Sequence, residues 1–194
     1  MKLNWGGIQL LKSKSYVCGH CGNSLASEKG WIAAQDIDRG SAHLYICHHC
    51  NRPTFFDTSE KQTPGVIFGG DVQDVDNEFV RNLYIEARNC TSKNAFTASV
   101  LCCRKLLMHI AVSKGAKEGE SFLSYVEYLS NNNFIPPDAK GWVDHIRTKG
   151  NEANHEIVIM KKEDAEDLIS FIEMILRLVY EFPANIKRKM TPLK

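Results

Sequence analysis

A surplus of charge of one sign is what this 194-residue chain most lacks. Lys and Arg number 24 against 23 Asp and Glu, for a net charge of +1. That balance excludes a bulk basic field for non-specific nucleic-acid binding and leaves only a local patch. Long apolar runs are missing too: no uninterrupted stretch approaches the roughly 20 residues of a membrane helix. Residues Met1 to Lys14 mix Trp5, Gly6 and Gly7 with Lys12 and Lys14, without the apolar segment and small-residue cleavage site of a signal peptide. The chain therefore reads as cytoplasmic, with no membrane partner. With 43% apolar and 24% charged residues it also falls outside the disordered class.

An even cysteine count is absent as well. Seven Cys argue against a fully paired disulfide framework. Four of them form two C-x-x-C pairs, Cys18-Gly19-His20-Cys21 and Cys47-His48-His49-Cys50. Zn²⁺ takes four tetrahedral ligands and binds thiolates well, so the four cysteines predict one Zn²⁺ per chain. A redox dithiol or a pair of disulfides is the competing reading. A redox C-x-x-C normally sits alone beside a βαβ pattern, and none is visible. Gly19 and Gly22 suit a tight turn that needs positive φ. His20, His43, His48 and His49 could replace a thiolate, but four cysteines already complete the set. A complete set leaves no position open for water, which predicts a structural metal rather than a catalytic one.

The remaining three, Cys90, Cys102 and Cys103, lie in helical-looking sequence and read as small hydrophobes.

Around the metal pairs the residues favour short strands. Ser15-Tyr16-Val17 leads into the first pair, and Pro53-Thr54-Phe55-Phe56 follows the second. Trp31–Ala34 and His43–Ile46 lie between, joined by a turn at Asp38-Arg39-Gly40-Ser41. This is a zinc-ribbon pattern over residues 1–60, too small to bury much apolar area, so that the metal supplies much of its folding free energy. Trp31, Phe55 and Phe56 are candidates to pack on the helical part. Residues 61–74 read as a connector punctuated by Pro64-Gly65 and Gly69-Gly70. Val66-Ile67-Phe68 inside it suggests docking rather than a free tether.

From residue 75 the apolar period becomes helical. One helix from Val75 to about Cys90 carries Phe79, Leu83 and Ala87, with Val80 and Tyr84 beside them. A second, Asn94 to about Ser113, carries Ser99, Cys102, Leu106 and Ile110 and ends at Lys114-Gly115. A third runs from Ser121 to about Asn131, and a fourth from about Pro137 to Asn154. The last spans Lys162 to about Phe182, with Pro183 as its stop. Residues 75–185 thus form an all-helical bundle, and 186–194 a basic tail with Lys187-Arg188-Lys189, read as a solvated end. The fold class is α+β.

The fourth helix carries the candidate chemistry. Val143, Ile146, Gly150, Ala153 and Ile157 form its packing stripe. Arg147, Asn151 and His155 step by four along an adjacent strip, with Asp144 in line. Arg could hold phosphate oxygens and stabilise transition-state charge. His could serve as general acid or base near neutral pH, and Asn could orient the imidazole. A plain solvated face with an Arg147–Asp144 pair is the competing reading.

The segments Val75–Glu78, Tyr84–Ala87, Ala98–Leu106 and Ile146–His155 resemble the domain-of-unknown-function family DUF4145 over about residues 70–185. An N-terminal zinc ribbon commonly accompanies that family, which is in turn similar to the HEPN superfamily. The resemblance implies a HEPN-like bundle, dimeric, in which an Arg and a His of a late helix pair across a two-fold axis. It implies metal-independent RNA cleavage in a bacterial defence or toxin system, using the RNA's own 2′-hydroxyl. Carried over, the residues are Arg147 and His155, with Asn151 as polar companion. Arg104, on the second helix, is another candidate phosphate contact, with an exposed helix charge as the competing reading. One departure is plain: residues 148–154 separate Arg147 from His155, a longer gap than HEPN motifs usually leave.

Two functions from different classes follow. One is a nucleic-acid-associated protein, acting as a HEPN-like ribonuclease or RNA-binding effector. The other is a non-catalytic zinc-ribbon and helical module that binds a protein or nucleic-acid partner. A metalloenzyme is the weakest reading, because a site of four thiolates is closed.

Overall fold

The computed structural model describes residues 3–34, 40–136, 142 and 159–190. The chain divides into two compact units. One is Met1–Ile67 with Ser92–Asn94, and the other is Phe68–Thr91 with Ala95–Lys194. The architecture is α+β: an N-terminal antiparallel sheet followed by a helical region.

The first unit is a five-stranded meander in which each strand pairs with the next. Its strands are β1 (Gln9–Val17), β2 (Ser24–Ala34), β3 (Ser41–Ile46), β4 (Pro53–Phe56) and β5 (Gln62–Thr63). β1 and β2 are longer than the β-favouring runs suggested. Each extends through polar residues, such as Lys12, Ser13 and Glu28, whose exposed side chains propensity alone would place in loops. Residues 61–74, read as connector, begin with a strand. β5 pairs with Phe55 and Phe56. Phe56, a candidate for packing on the helical part, packs in the sheet's own cluster, 5.3 Å from Tyr16 and 5.9 Å from Tyr45, ring to ring. Cys18 and Cys47 belong to the same cluster, so the sheet's core and the cysteine site are one body.

The second unit contains α1 (Glu78–Ser92), α2 (Phe96–Ser113), α3 (Phe122–Asn131), α4 (Lys162–Leu176) and α5 (Phe182–Met190). Asn77 caps α1, its Oδ1 accepting from the N–H groups of Phe79 and Val80 at 3.0 and 3.2 Å. Burial along the helix corrects the predicted stripe. Val80, Tyr84 and Ala87 face the core, whereas Phe79 is 85% exposed. α2 is central and packs on α3 and α4. It is long and apolar enough to cross a membrane. Here Val100, Cys103, Leu106, Leu107, Ile110 and Ala111 are instead buried among Val126, Leu129, Ile169, Ile172 and their neighbours.

Pro183 does not stop the last helix. Arg177–Glu181 widens into a π-helical turn, and α5 continues with Pro183 in its first turn. The helix does not begin afresh there: Phe182 N–H still donates to Arg177 O, and the wider turn before Pro183 carries the chain past the proline's missing N–H. The basic run Lys187-Arg188-Lys189 is consequently the last turn of a helix rather than a loose end. Arg188 makes a two-pronged pair with Asp74 at 2.8 and 2.7 Å.

The later part of the predicted connector is tied into this unit. Gly70 N–H donates to Glu173 Oε2 at 2.6 Å, and Arg88 donates to the carbonyls of Phe68 and Gly69.

Candidate metal centre

Two chain reversals build the site. The first joins β1 to β2 and carries Cys18 and Cys21; the second joins β3 to β4 and carries Cys47 and Cys50. They close in the same way. Cys18 N–H donates to Asn23 O and Gly22 N–H to Cys18 O, at 2.9 and 2.8 Å; Cys47 N–H donates to Arg52 O and Asn51 N–H to Cys47 O, at 3.0 and 2.8 Å. Gly22 has φ +72, as a left-handed turn position requires. Gly19 does not have positive φ. It is small because the backbone of Pro64 and Gly65 lies against it, and a Cβ there would run into both carbonyl oxygens.

The four sulfurs lie within 4.8 Å of one another. Cys18 Sγ and Cys50 Sγ are 3.7 Å apart, and Cys21 Sγ and Cys47 Sγ 3.8 Å. A disulfide needs roughly 2.0 Å, so these are free thiols. A tetrahedral ion with Zn–S bonds of about 2.3 Å spaces its sulfurs by about 3.8 Å. The donor set therefore fits a tetrahedral, thiophilic ion. The first reversal also points N–H groups at sulfur: His20 N–H donates to Cys18 Sγ at 3.4 Å, and the Asn23 side-chain amide donates to Cys21 Sγ at 3.4 Å.

These surroundings separate the thiols. Burial opposes ionising Cys21, yet the Asn23 donors and neighbouring thiols outweigh it, and its pKa is lowered to about 7. Burial raises Cys18, and pushes Cys50 up to about 12. One thiolate forms readily; a full set calls for a cation to offset the gathered charge.

Among the described residues no histidine joins the cluster. His20 Nε2–H donates to Pro53 O at 3.0 Å and so links the two reversals. His43 stacks on Tyr45, and His48 and His49 lie against each other.

The other candidates divide differently. Arg147, Asn151 and His155, with the stripe around Gly150, lie outside the described residues. Of that helix Trp142 is described; it is helical, half-buried and edge-on to Phe171 at 5.3 Å. Cys103 is fully buried, and burial raises the pKa of Cys90, Cys102 and Cys103 alike, with Cys102 at about 11. All three stay protonated thiols near neutral pH and make poor nucleophiles.

Arg104 is not an exposed helix charge. It is only 4% exposed on α2, and its guanidinium carbon sits 4.1 Å from the centre of the Phe122 ring. Among the described residues nothing accepts a hydrogen bond from its Nη1. Burial draws its pKa down, but a guanidinium remains charged in a protein. Cation–π contact contributes about 0.5–2 kcal/mol, short of the several kcal/mol that burying a lone ion costs.

The family model described as Domain of unknown function (DUF4145) matches residues 85–193. The chain belongs to this family. No curated protein and no solved structure matches it. The DUF4145 match takes in Cys90, Arg104, Arg147, Asn151 and His155; the four clustered cysteines precede it. The cysteine cluster is thus carried by the β unit, which precedes the DUF4145 match in the sequence.

Proposed function

We propose that the β unit is a zinc ribbon holding one structural Zn²⁺, and that the chain is a nucleic-acid-associated protein. The sulfur spacing supports zinc. Bound there by Cys18, Cys21, Cys47 and Cys50, the ion would tie the two reversals together and leave no position for substrate. The observation that carries the nucleic-acid reading is a row on one face of the sheet. Register places Trp31, Leu44 and Phe55 side by side across β2, β3 and β4, and strand alternation adds Lys29 to that face. Trp5 lies edge-on to Trp31 at 5.7 Å. Phe55 is 40% exposed, Lys29 is exposed, and Trp31 and Leu44 are half-buried. Aromatic rings beside an ammonium group suit stacked bases and a backbone phosphate. A protein whose net charge is +1 needs such a local feature to hold nucleic acid.

The finer reading is a HEPN-like, homodimeric, metal-independent ribonuclease of a bacterial defence or toxin system, with Arg147 and His155 at the scissile phosphate and Asn151 beside them. The sequence strip and the family resemblance support it. Seven free cysteines fit a reducing cytoplasm. A non-catalytic interaction module is the second reading, favoured by the closed four-sulfur geometry.

The experiment is single-stranded RNA incubated with purified zinc-loaded protein, in wild-type form and as Phe55→Ala and His155→Ala. Stacking predicts that Phe55→Ala weakens RNA binding by about tenfold, and the nuclease reading predicts that His155→Ala stops cleavage while binding persists. Cleavage equal in wild type and His155→Ala rejects the nuclease. Wild-type protein that does not bind RNA rejects both readings in favour of a protein-binding module.

A further inference from the structure

A cleft of about 780 Å³ opens on the helical unit, a volume within the range of small-molecule sites. Its lining comes from the segment between Asp71 and Asp76, from α1, from the end of α2, and from the π-helical turn with the start of α5. Three ties hold the segment to the helices. Arg177 Nη2 donates to Asp71 O at 3.0 Å, and Gln73 N–H donates to Glu181 Oε2 at 3.0 Å. Arg188 holds Asp74 at 2.8 and 2.7 Å. The cleft is thus built into the fold, and a preformed site loses little freedom on binding.

Its charges do not cancel evenly. Three cations, Arg81, Lys114 and Lys187, meet three carboxylates, Asp71, Asp74 and Asp76. Two of the carboxylates are satisfied from outside the lining. Arg188 engages Asp74, and Arg88 lies 4.0 Å from Asp71, which also accepts from the Gln73 side-chain amide at 2.7 Å. Asp76 is left facing the three cations. Among the described residues Arg81, which is exposed, has no ion pair, and Lys114 Nζ lies 5.6 Å from the centre of the Tyr180 ring. In a chain of net charge +1 this is a local basic surplus that calls for an anion.

The rest of the lining narrows the choice. A phosphate suits the Arg81 fork and the Lys114 ammonium, but alone it would leave most of the cleft empty. Ile85, 39% exposed, joins Val179 and the half-buried Tyr180 in an apolar portion that suits the flat ring of a base. Asp76 would repel a second acid group, yet it accepts hydrogen bonds from hydroxyls. We propose that this cleft binds a nucleotide, with its phosphate at Arg81 and Lys114, its sugar hydroxyls at Asp76 and its base against Ile85 and Val179. A free nucleoside monophosphate and the 5′-phosphorylated end of an RNA present these same groups. The site needs no metal, and it does not depend on the cysteine cluster or on the aromatic row of the β unit.

The test uses the full chain with zinc bound. Each of the four ribonucleoside 5′-monophosphates is titrated by calorimetry at matched ionic strength, beside ribose 5-phosphate and the four nucleosides. The expected result is that at least one nucleotide binds more tightly than either of its parts. Arg81→Gln and Lys114→Gln should each weaken it by about tenfold, the loss of one charge-assisted contact. Both sources of the ligand are compared in Phe55→Ala protein, so that the sheet row adds nothing. Tighter binding of a 5′-phosphorylated oligonucleotide than of the matching monophosphate identifies an RNA end, and equal or weaker binding identifies a free nucleotide. Four inert monophosphates would overturn the site, and RNA binding that persists in that case leaves the sheet reading intact. Ribose 5-phosphate or a nucleoside binding as well as the nucleotide, or an affinity unchanged in both Arg81→Gln and Lys114→Gln, would overturn it too.

Discussion

Gly22 and Asn51 occupy the same place in the two cysteine reversals, one residue past the second Cys, and both are left-handed, with φ of +72 and +57. Each donates its N–H to the first cysteine's carbonyl, at 2.8 Å in both cases. The two positions differ in what a side chain finds there. A Cβ at Gly22 would meet nothing within 4 Å. Asn51 instead uses its side chain, donating from Nδ2 to Leu3 O at 2.5 Å, while its carbonyl accepts from Trp5 Nε1–H at 3.1 Å. Gly22→Ala should therefore cost about 1–2 kcal/mol through backbone strain alone. Asn51→Gly should keep the turn and lose only the Leu3 tie. Urea titration of metal-saturated protein measures both, and a Gly22→Ala variant as stable as wild type would contradict the shared left-handed geometry.

Removing the metal should unfold the β unit and leave the helices. The sheet's core is small and includes Cys18 and Cys47 themselves, so a chelator takes away part of its binding free energy along with the ion. Metal analysis should return one zinc per chain, and Cys18→Ser or Cys50→Ser should abolish it. Since every ligand must be deprotonated, zinc affinity should fall steadily as pH is lowered. Circular dichroism during chelation should show strand signal lost and helix signal retained; loss of both together would contradict this.

The rotation of α1 is open to a simple contrast. Phe79 is 85% exposed and Ile110 fully buried. Phe79→Ala should change stability by no more than about 0.5 kcal/mol. Ile110→Ala should cost about 2–5 kcal/mol. A sizeable loss for Phe79→Ala would restore the stripe that periodicity alone suggested.

Glu173 should make part of the stability pH-dependent. Burial opposes its charge, but the Gly70 N–H and the Arg177 guanidinium, 2.6 and 2.9 Å away, outweigh that and hold its pKa below the usual carboxylate value. A group depressed in the folded state stabilises above its unfolded pKa of about 4.3, and that contribution is lost as pH falls through the lower folded value. Melting temperatures of wild type and Glu173→Gln should differ most near pH 7 and converge as the pH drops below about 4. A constant gap across that range would show that Glu173 acts through shape rather than charge.

The cysteine spacing was legible because the constraint is local: a C-x-x-C reversal fixes two sulfurs within one turn, and the only long-range question is which pair meets which. Asn51 was not legible. Asparagine takes the left-handed conformation often enough to replace glycine, but nothing nearby in the chain distinguishes it from an ordinary loop residue. Pro183 was misread for a related reason. Proline ordinarily breaks a helix by removing one N–H and crowding the preceding turn, yet the wide turn at Arg177–Glu181 carries the helix past it. Arg104 reads as a surface charge beside Lys105. Its burial depends on α3 arriving over it, which no local pattern encodes.

Sequence alone determined the α+β order, the four clustered cysteines and the approximate helices among the described residues, because each follows from contacts a few residues apart or from a period along one element. Tertiary structure decided which face of α1 turns inward, that Phe56 serves the sheet, and that Arg104 lies buried against Phe122. Those depend on the relative placement of elements, where burying apolar area outweighs any single residue's local preference.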